Sequence, residues 1–228
     1  MATVSTPSYR KRLMYHAGLL GGMGLLASAI LVLGNISTRN DIELRIKEDI
    51  KASINQVIPE TMYDNDLLDD SVLIESSHAI SENKNTKVYL ARTQNKVTAA
   101  AFQVTGTGYA GPIDIIIGID AHEKLLGVRV IAHAETPGLG DRIEIKKDNW
   151  IAKFTGLSLS NTSKEKWKVK KDGGVFDQFS GATITPRAVV KAIHNGLLFF
   201  SENKQQILRG TSSGSTNTNT VDTGGKNE

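Results

Sequence analysis

The sequence predicts an α+β fold that combines a single N-terminal membrane-spanning helix with an antiparallel sheet and flanking helices. Three observations support it: an uncharged apolar run near the N-terminus, successive short runs of strand-forming residues in mid-chain, and amphipathic helical patterns on either side of those runs. Strands that follow one another, with the helices segregated, are typical of α+β domains. At 228 residues the chain is long enough for one core with extensions.

The first element is the uncharged, largely apolar run 17–34, which reaches 22 residues when residues 13–16 are included. A helix of that length spans about 33 Å, enough to cross a bilayer core of about 30 Å. A cleaved signal peptide is the alternative, because Ala27-Ser28-Ala29 has the small-x-small form of a cleavage site. The apolar run continues beyond this triplet, which favours a retained transmembrane helix over residues 13–34.

The N-terminal arm, residues 1–12, ends in the compact cationic cluster Arg10-Lys11-Arg12. Cationic residues also follow the apolar run, but long translocated domains largely escape the positive-inside rule, whereas a short arm obeys it. We therefore expect a cytoplasmic arm and a main domain outside the cytoplasm.

The segment 35–95 is polar and charge-rich, and we predict a stalk that leads into the domain. Isoleucines at steps of four residues, from Ile42 to Ile54, predict a helix over 41–57, and a second helix is expected near 64–73. The tail 210–228 has almost no apolar residues to offset the entropy of ordering, so it is predicted to be disordered.

The segment 96–209 is predicted to be the folded domain. Three runs rich in β-branched and apolar residues predict an antiparallel meander: 97–104, 113–119 and 126–132. After the meander we expect a short helix over 148–155 and a strand over 166–170.

The stretch DQFSGATITP, residues 177–186, places three hydroxyl side chains before a final helix. Thr185 followed by Pro186 predicts the helix start, with the hydroxyl as cap and proline at the first helical position. The helix presents one apolar face, formed by Val189, Ile193, Leu197 and Phe200. Its start leaves backbone N–H groups unpaired, which favours an anion such as phosphate.

Composition excludes several classes of function. The net charge is +3 with acidic and basic residues interleaved, so no nucleic-acid partner is expected. The chain has no cysteine, which excludes disulfides, thiolate metal sites, Cys-ligated iron–sulfur clusters and a catalytic thiol. Redox chemistry would therefore depend on a cofactor held by other groups.

Other motifs are weaker. The stretch GTGYAG, residues 106–111, matches G-x-G-x-x-G, but Pro112 then leads into a strand and not into a helix, so a dinucleotide site is not expected. His133 and Glu135 would share one face of a strand end, but two ligands without a third do not predict a metal site. No G-x-S-x-G elbow is present, and no catalytic residue is predicted.

Three motifs together resemble one known family: DQFSGAT at 177–183, ETPGLGDRIE at 135–144 and GYAGPI at 108–113. They are similar to those of RnfG, the G subunit of the Rnf electron-transport complex. Its FMN-binding domain is shared with the C subunit of the sodium-pumping NADH:quinone oxidoreductase. The resemblance covers roughly residues 8–205, and Asp141 after PGLG favours the Rnf member.

The resemblance implies that a flavin transferase attaches FMN covalently, through a phosphoester, to the hydroxyl of Thr183. It also implies a set of surrounding residues: Asp177 and Ser180 in the recognised signature, Gly181 and Ala182 giving room to the phosphate, and Thr136, Gly138 and Leu139 beneath the flavin ring.

The implied function is that of an electron-carrier subunit in a membrane-bound, ion-translocating oxidoreductase that links ferredoxin and NAD redox chemistry, with no substrate turnover of its own. The implied partners are the other Rnf subunits, the flavin transferase and the membrane. The implied location is a bacterial inner membrane, crossed once, with the main domain periplasmic. Two alternatives stay open: the C subunit of the quinone reductase, and a non-redox membrane-anchored binding module in which SGATITP only caps a helix.

Overall fold

The computed structural model describes residues 9–75, 80 and 85–210, with side chains in this part of the chain described except at 9–13, 34–43 and 46. Most of the predicted cytoplasmic arm and all but Gly210 of the predicted disordered tail lie outside the described residues. The chain divides into two compact units, and the division falls between Asp49 and Ile50.

Helix α1 spans Tyr9–Asn55, 47 residues in all. Its stretch Met14–Leu33 has 20 residues with a mean hydropathy of 1.8, and no other helix of the described residues is long and apolar enough to cross a membrane. The large apolar side chains of this stretch are exposed, as a membrane span requires. The helix predicted over 41–57 is the C-terminal part of α1 and ends two residues earlier than expected.

Five antiparallel strands form one sheet in chain order: β1 Ser71–Glu75, β2 Asn85–Thr93, β3 Lys96–Thr107, β4 Pro112–Asp120 and β5 Leu125–His133. The three predicted strands are β3, β4 and β5, and the predicted meander is confirmed. Short connections, residues 108–111 and 121–124, join β4 to β3 and to β5, and the end of β4 beside residues 108–111 contributes to the site described below.

Strands β1 and β2 lie in the segment assigned to the stalk and were not predicted. The helix expected near 64–73 is wrong, because turns fill its first part and β1 begins at Ser71. In β1 the side chains alternate in period two, with Val72 and Ile74 buried and Leu73 51% exposed. Gln94 and Asn95, both at positive φ, form the two-residue turn that pairs β2 with β3.

Both faces of the sheet are covered. Helix α2, Ile184–Arg209, packs on β3 and β4 through the predicted apolar face, whose four residues are at most 1% exposed. On the other face, Ile54, Val57 and Ile58 pack against small residues of the sheet. Gly118 and Gly127 allow this approach, since a Cβ at either would lie within 3 Å of the Val57 backbone.

The segment between β5 and α2 consists of turns and 3₁₀ helices. The helix predicted over 148–155 is a 3₁₀ helix, Asn149–Phe154, whose cap Asp148 accepts a hydrogen bond from the Trp150 amide. The strand predicted over 166–170 is wrong. Short 3₁₀ turns flank Val169, which forms only an isolated parallel bridge to Phe176.

Candidate functional site

A cavity of about 380 Å³ opens where three segments meet at one end of the sheet. Its walls are formed by Tyr109 in the β3–β4 turn, by residues of the loop 135–140 after β5, and by residues 181–185 at the start of α2. We call it the site cavity. Its volume lies within the range of small-molecule sites, about 300–1,000 Å³.

Thr183 is exposed and lines the site cavity. It is the N-cap residue of α2, yet its side chain makes no capping hydrogen bond. The first N–H groups of a helix have no intrahelical acceptors, and the helix dipole favours negative charge beside them. Thr183 is therefore an exposed residue next to a helix start that suits a phosphate.

Thr185 does not cap the helix, so that prediction is wrong. Helix α2 begins at Ile184, one residue before Thr185, which is fully buried. The Thr185 hydroxyl instead donates a hydrogen bond to the carboxylate of Glu135. The capping rule predicts a bond between this hydroxyl and backbone N–H groups of the helix start, but the hydroxyl bonds to a residue that is distant in the sequence.

Residues 179–182 form a tight turn closed by a hydrogen bond of 3.3 Å from the Ala182 amide to the Phe179 carbonyl. Gly181 has φ +84°, which a turn of this kind requires at its third position. A Cβ at Gly181 would lie 3.0 Å from Leu139, so two walls of the site cavity approach closely here. Ser180 is exposed at the second position and does not line the site cavity.

The TPGLG turn provides the second wall. Thr136 and Leu139 line the site cavity, and the amides of Leu139 and Gly140 donate to the Thr136 carbonyl at 3.1 Å. Gly138 has φ +79° and does not line it. The Gly138 amide donates a hydrogen bond to the buried carboxylate of Asp141. This bond lowers the pKa of Asp141 and stabilises the turn.

Asp177 lies outside the site cavity, between two lysines. Its carboxylate accepts hydrogen bonds from Lys153 at 2.6 Å and from Lys170 at 2.5 Å, and these bonds lower the pKa of Asp177 to about 2. The Trp150 indole N–H donates to the Asp177 carbonyl at 2.8 Å. These contacts anchor the start of the loop that carries Thr183.

Glu135 was not predicted as a site residue, although it opens the ETPGLGDRIE motif. It lines the site cavity, is only 5% exposed, and accepts a hydrogen bond of 3.0 Å from the Ala110 amide as well as the bond from Thr185. The expectation that Glu135 and His133 share one face of a strand end is wrong, because β5 ends at His133 and Glu135 lies in the loop that follows. The His133 ring accepts from the Glu135 amide and contacts Glu144 at 3.0 Å.

The site cavity combines apolar and polar walls. Tyr109, Leu139 and Ile184 present exposed apolar surface, with 73%, 41% and 46% of each residue exposed. The described lining residues include no lysine, arginine or histidine. The arrangement suits a flat aromatic group with a phosphate at the helix start. A second cavity beside Trp167 and Arg187 contains none of the predicted site residues.

The segments that form the site cavity match a family of known proteins. Residues 108–198 match a family described as the FMN-binding domain, and the match contains all three walls of the site cavity. The chain is 46% identical over 190 residues to the G subunit of the ion-translocating oxidoreductase complex of Cereibacter sphaeroides, covering 83% of this chain and 85% of that protein. It is 45% identical over 192 residues to the protein of the same name from Stutzerimonas stutzeri, covering 84% and 82%.

Two solved structures are similar with a TM-score of 0.43 each. One is NqrC of Shewanella oneidensis, 22% identical, covering 66% of this chain and 73% of that one. The other is the C subunit of the Na⁺-translocating NADH-quinone reductase of Parabacteroides distasonis, 25% identical, covering 53% and 63%.

Proposed function

The chain belongs to the family of G subunits of the ion-translocating oxidoreductase complex, and from this membership we propose that it relays electrons through FMN attached covalently to Thr183. The relatives are named as subunits of an oxidoreductase complex, and the matched domain is described as FMN-binding. Both support an electron-carrier role. Since the chain contains no cysteine, a flavin is also the kind of redox centre that it can hold.

The exposure of Thr183, which lines the site cavity and makes no capping hydrogen bond, is the observation that carries the proposal. A transferase must reach this oxygen, and no capping bond has to be broken first. In the transfer, a phosphoester forms between the Thr183 oxygen and the FMN phosphorus of FAD. The pyrophosphate bond breaks, AMP leaves, and the hydroxyl proton passes to solvent.

The residues around Thr183 fit FMN. A phosphodiester carries one negative charge, and the amides at the start of α2 can stabilise it without a cationic side chain. Thr136 and Leu139 would contact the flavin ring, with Tyr109 and Ile184 as apolar neighbours. FMN supplies the capacity to accept and donate electrons, while the chain fixes its position and excludes water from part of its surface.

The stretch Met14–Leu33 supports a membrane anchor. In this proposal the chain crosses a bacterial inner membrane once, with the domain on the periplasmic side and the other complex subunits as partners. Covalent attachment suits that location, because a tethered flavin stays near neighbouring carriers at a fixed effective concentration. Electrons would move within a complex that links ferredoxin and NAD redox chemistry to ion translocation.

In-gel flavin fluorescence tests the proposal. The full chain is expressed in membranes with and without a flavin transferase, and the denatured protein is examined under ultraviolet light. Fluorescence that requires the transferase is the expected result, because only a covalent flavin survives denaturation. A colourless, non-fluorescent band from cells with an active transferase would favour the non-redox binding module instead.

A further inference from the structure

Glu135 carries the only formal charge among the described residues that line the site cavity. The other lining residues are neutral: Tyr109, Thr136, Leu139, Gly140, Thr183 and their neighbours. No ion pair of the described residues involves Glu135, whose two hydrogen-bond donors are the neutral Ala110 amide and the Thr185 hydroxyl. The negative charge is therefore held in place but not compensated by a cation.

The carboxylate of Glu135 occupies a small space in the cavity wall that exists because Gly108 and Gly140 have no Cβ, and we call this space the socket. A Cβ at Gly108 would lie 2.4 Å from one carboxylate oxygen, and a Cβ at Gly140 would lie 2.8 Å from the other. Ala110 belongs to the β3–β4 turn and Thr185 to α2, so the socket joins all three walls of the site cavity. The carboxylate is thus buried within the wall and held by hydrogen bonds from both neighbouring segments.

From this geometry we propose that the negative charge of Glu135 lowers the reduction potential of the FMN held in the site cavity. The inference rests on the proposed function. Reduction of a flavin ring by two electrons and one proton leaves a negative charge on it. A buried carboxylate beside the ring opposes that charge, and charges in a partly desolvated site interact more strongly than in water. With no cation among the described residues that line the cavity, no side chain there offsets the repulsion.

The experiment compares the reduction potentials of wild-type and Glu135→Gln flavoprotein, both as full chains loaded by the transferase and titrated with dithionite and a reference dye. The carbonyl oxygen of the introduced amide can still accept from the Ala110 amide, and its NH₂ group can donate to the Thr185 hydroxyl oxygen. The variant therefore removes charge and keeps the socket. We expect the potential to rise by at least about 30 mV, a tenfold change in the ratio of oxidised to reduced flavin for a two-electron couple.

Two controls separate charge from structure. Thr185→Val breaks one hydrogen bond of the socket but keeps the carboxylate. The reduction potential of this variant should therefore differ from that of the wild type by less than about a twofold change in the ratio of oxidised to reduced flavin. Glu123→Gln removes the same charge at the opposite end of the β4–β5 hairpin, roughly 25 to 30 Å away by strand length. Solvent ions screen charges at that distance, so no shift is expected.

A Glu135→Gln potential equal to that of the wild type would overturn the inference, as would an equal shift in Thr185→Val. If Glu135→Gln does not fold, the reduction potential of the wild-type flavoprotein is compared with that of free FMN in the same buffer. The wild-type potential should be the lower of the two, and a value at or above that of free FMN would overturn the inference. A wild-type chain without flavin would instead overturn the proposed function.

Discussion

The hydroxyl of Thr185 donates a hydrogen bond to the carboxylate of Glu135, across a sequence separation of 50 residues. Both residues are buried, at 0% and 5% exposed. The bond ties the first turn of α2 to the loop that follows β5. Because these two segments form two of the three walls of the site cavity, the bond holds these walls together.

Thr185→Val should destabilise the domain by about 1–3 kcal/mol, because a buried carboxylate loses one of its donors. For a domain of this size each kcal/mol corresponds to about 2–4 °C in Tm. Thermal unfolding of the solubilised full chain, followed by tryptophan fluorescence, measures the shift. Thr185→Ser keeps the hydroxyl and should unfold close to the wild-type temperature. Equal Tm values for the valine variant and the wild type would show that this bond contributes nothing.

Gly181→Ala should lower flavin incorporation, with Gly173→Ala as its matched control. Both glycines have positive φ, +84° and +85°, so both substitutions cost about 1–2 kcal/mol of backbone strain. Only at Gly181 would the new Cβ press on Leu139, whereas nothing lies within 4 Å at Gly173. The flavin content per chain, read from the absorbance of purified protein, should fall in Gly181→Ala alone. Equal flavin content in both variants would contradict this role for the turn.

The ion pairs of Asp177 with Lys153 and Lys170, which we call the clamp, should make part of the free energy of unfolding depend on pH. Lys153 and Lys170 lower the pKa of Asp177 to about 2, so the folded state favours the ionised carboxylate. A depressed pKa contributes stability that is fully present above the ordinary value, near 4, and is lost as the pH falls through about 2. The wild type should therefore unfold at a higher temperature than Asp177→Asn at about pH 6, and this advantage should shrink towards pH 2.

Removing the lysines supplies the converse experiment. Lys153→Met with Lys170→Met should move the pKa of Asp177 back up towards its ordinary value, so the folded and unfolded pKa become similar and the pH dependence of stability attributed to Asp177 should shrink or disappear. The exposed Lys171→Met is a control that leaves the clamp intact. A double variant with the wild-type pH profile would show that the clamp does not control Asp177.

The elements that the sequence predicted correctly are those with long, regular patterns. The apolar face of α2 and the β-branched and apolar runs of β3 to β5 each extend over enough residues to determine the element. Strand β1 has five residues and follows an acidic turn, so its period-two pattern was too short to outweigh a helical interpretation. At 166–170 the alternation was present, but 3₁₀ turns on both sides of Val169 interrupt the extended backbone, so only a single bridge forms.

Most of the residues that the resemblance implies for the site lie close together in the structure. Thr183, Gly181, Ala182, Thr136 and Leu139, each named from the sequence motifs, line one cavity. Asp177, Ser180 and Gly138 do not line it. Glu135 was missed because its role depends on a hydroxyl 50 residues away, which no spacing rule within the motif reveals. The functional roles of the predicted residues remain predictions.

The proposed phosphoester at Thr183 is tested most directly by mass spectrometry of the full chain produced with the flavin transferase. We expect one FMN-phosphoryl addition per chain, located by peptide mapping to Thr183, retained in Thr183→Ser and Ser180→Ala, and lost in Thr183→Val. An unmodified wild-type chain, or an addition that persists in Thr183→Val, would contradict the account.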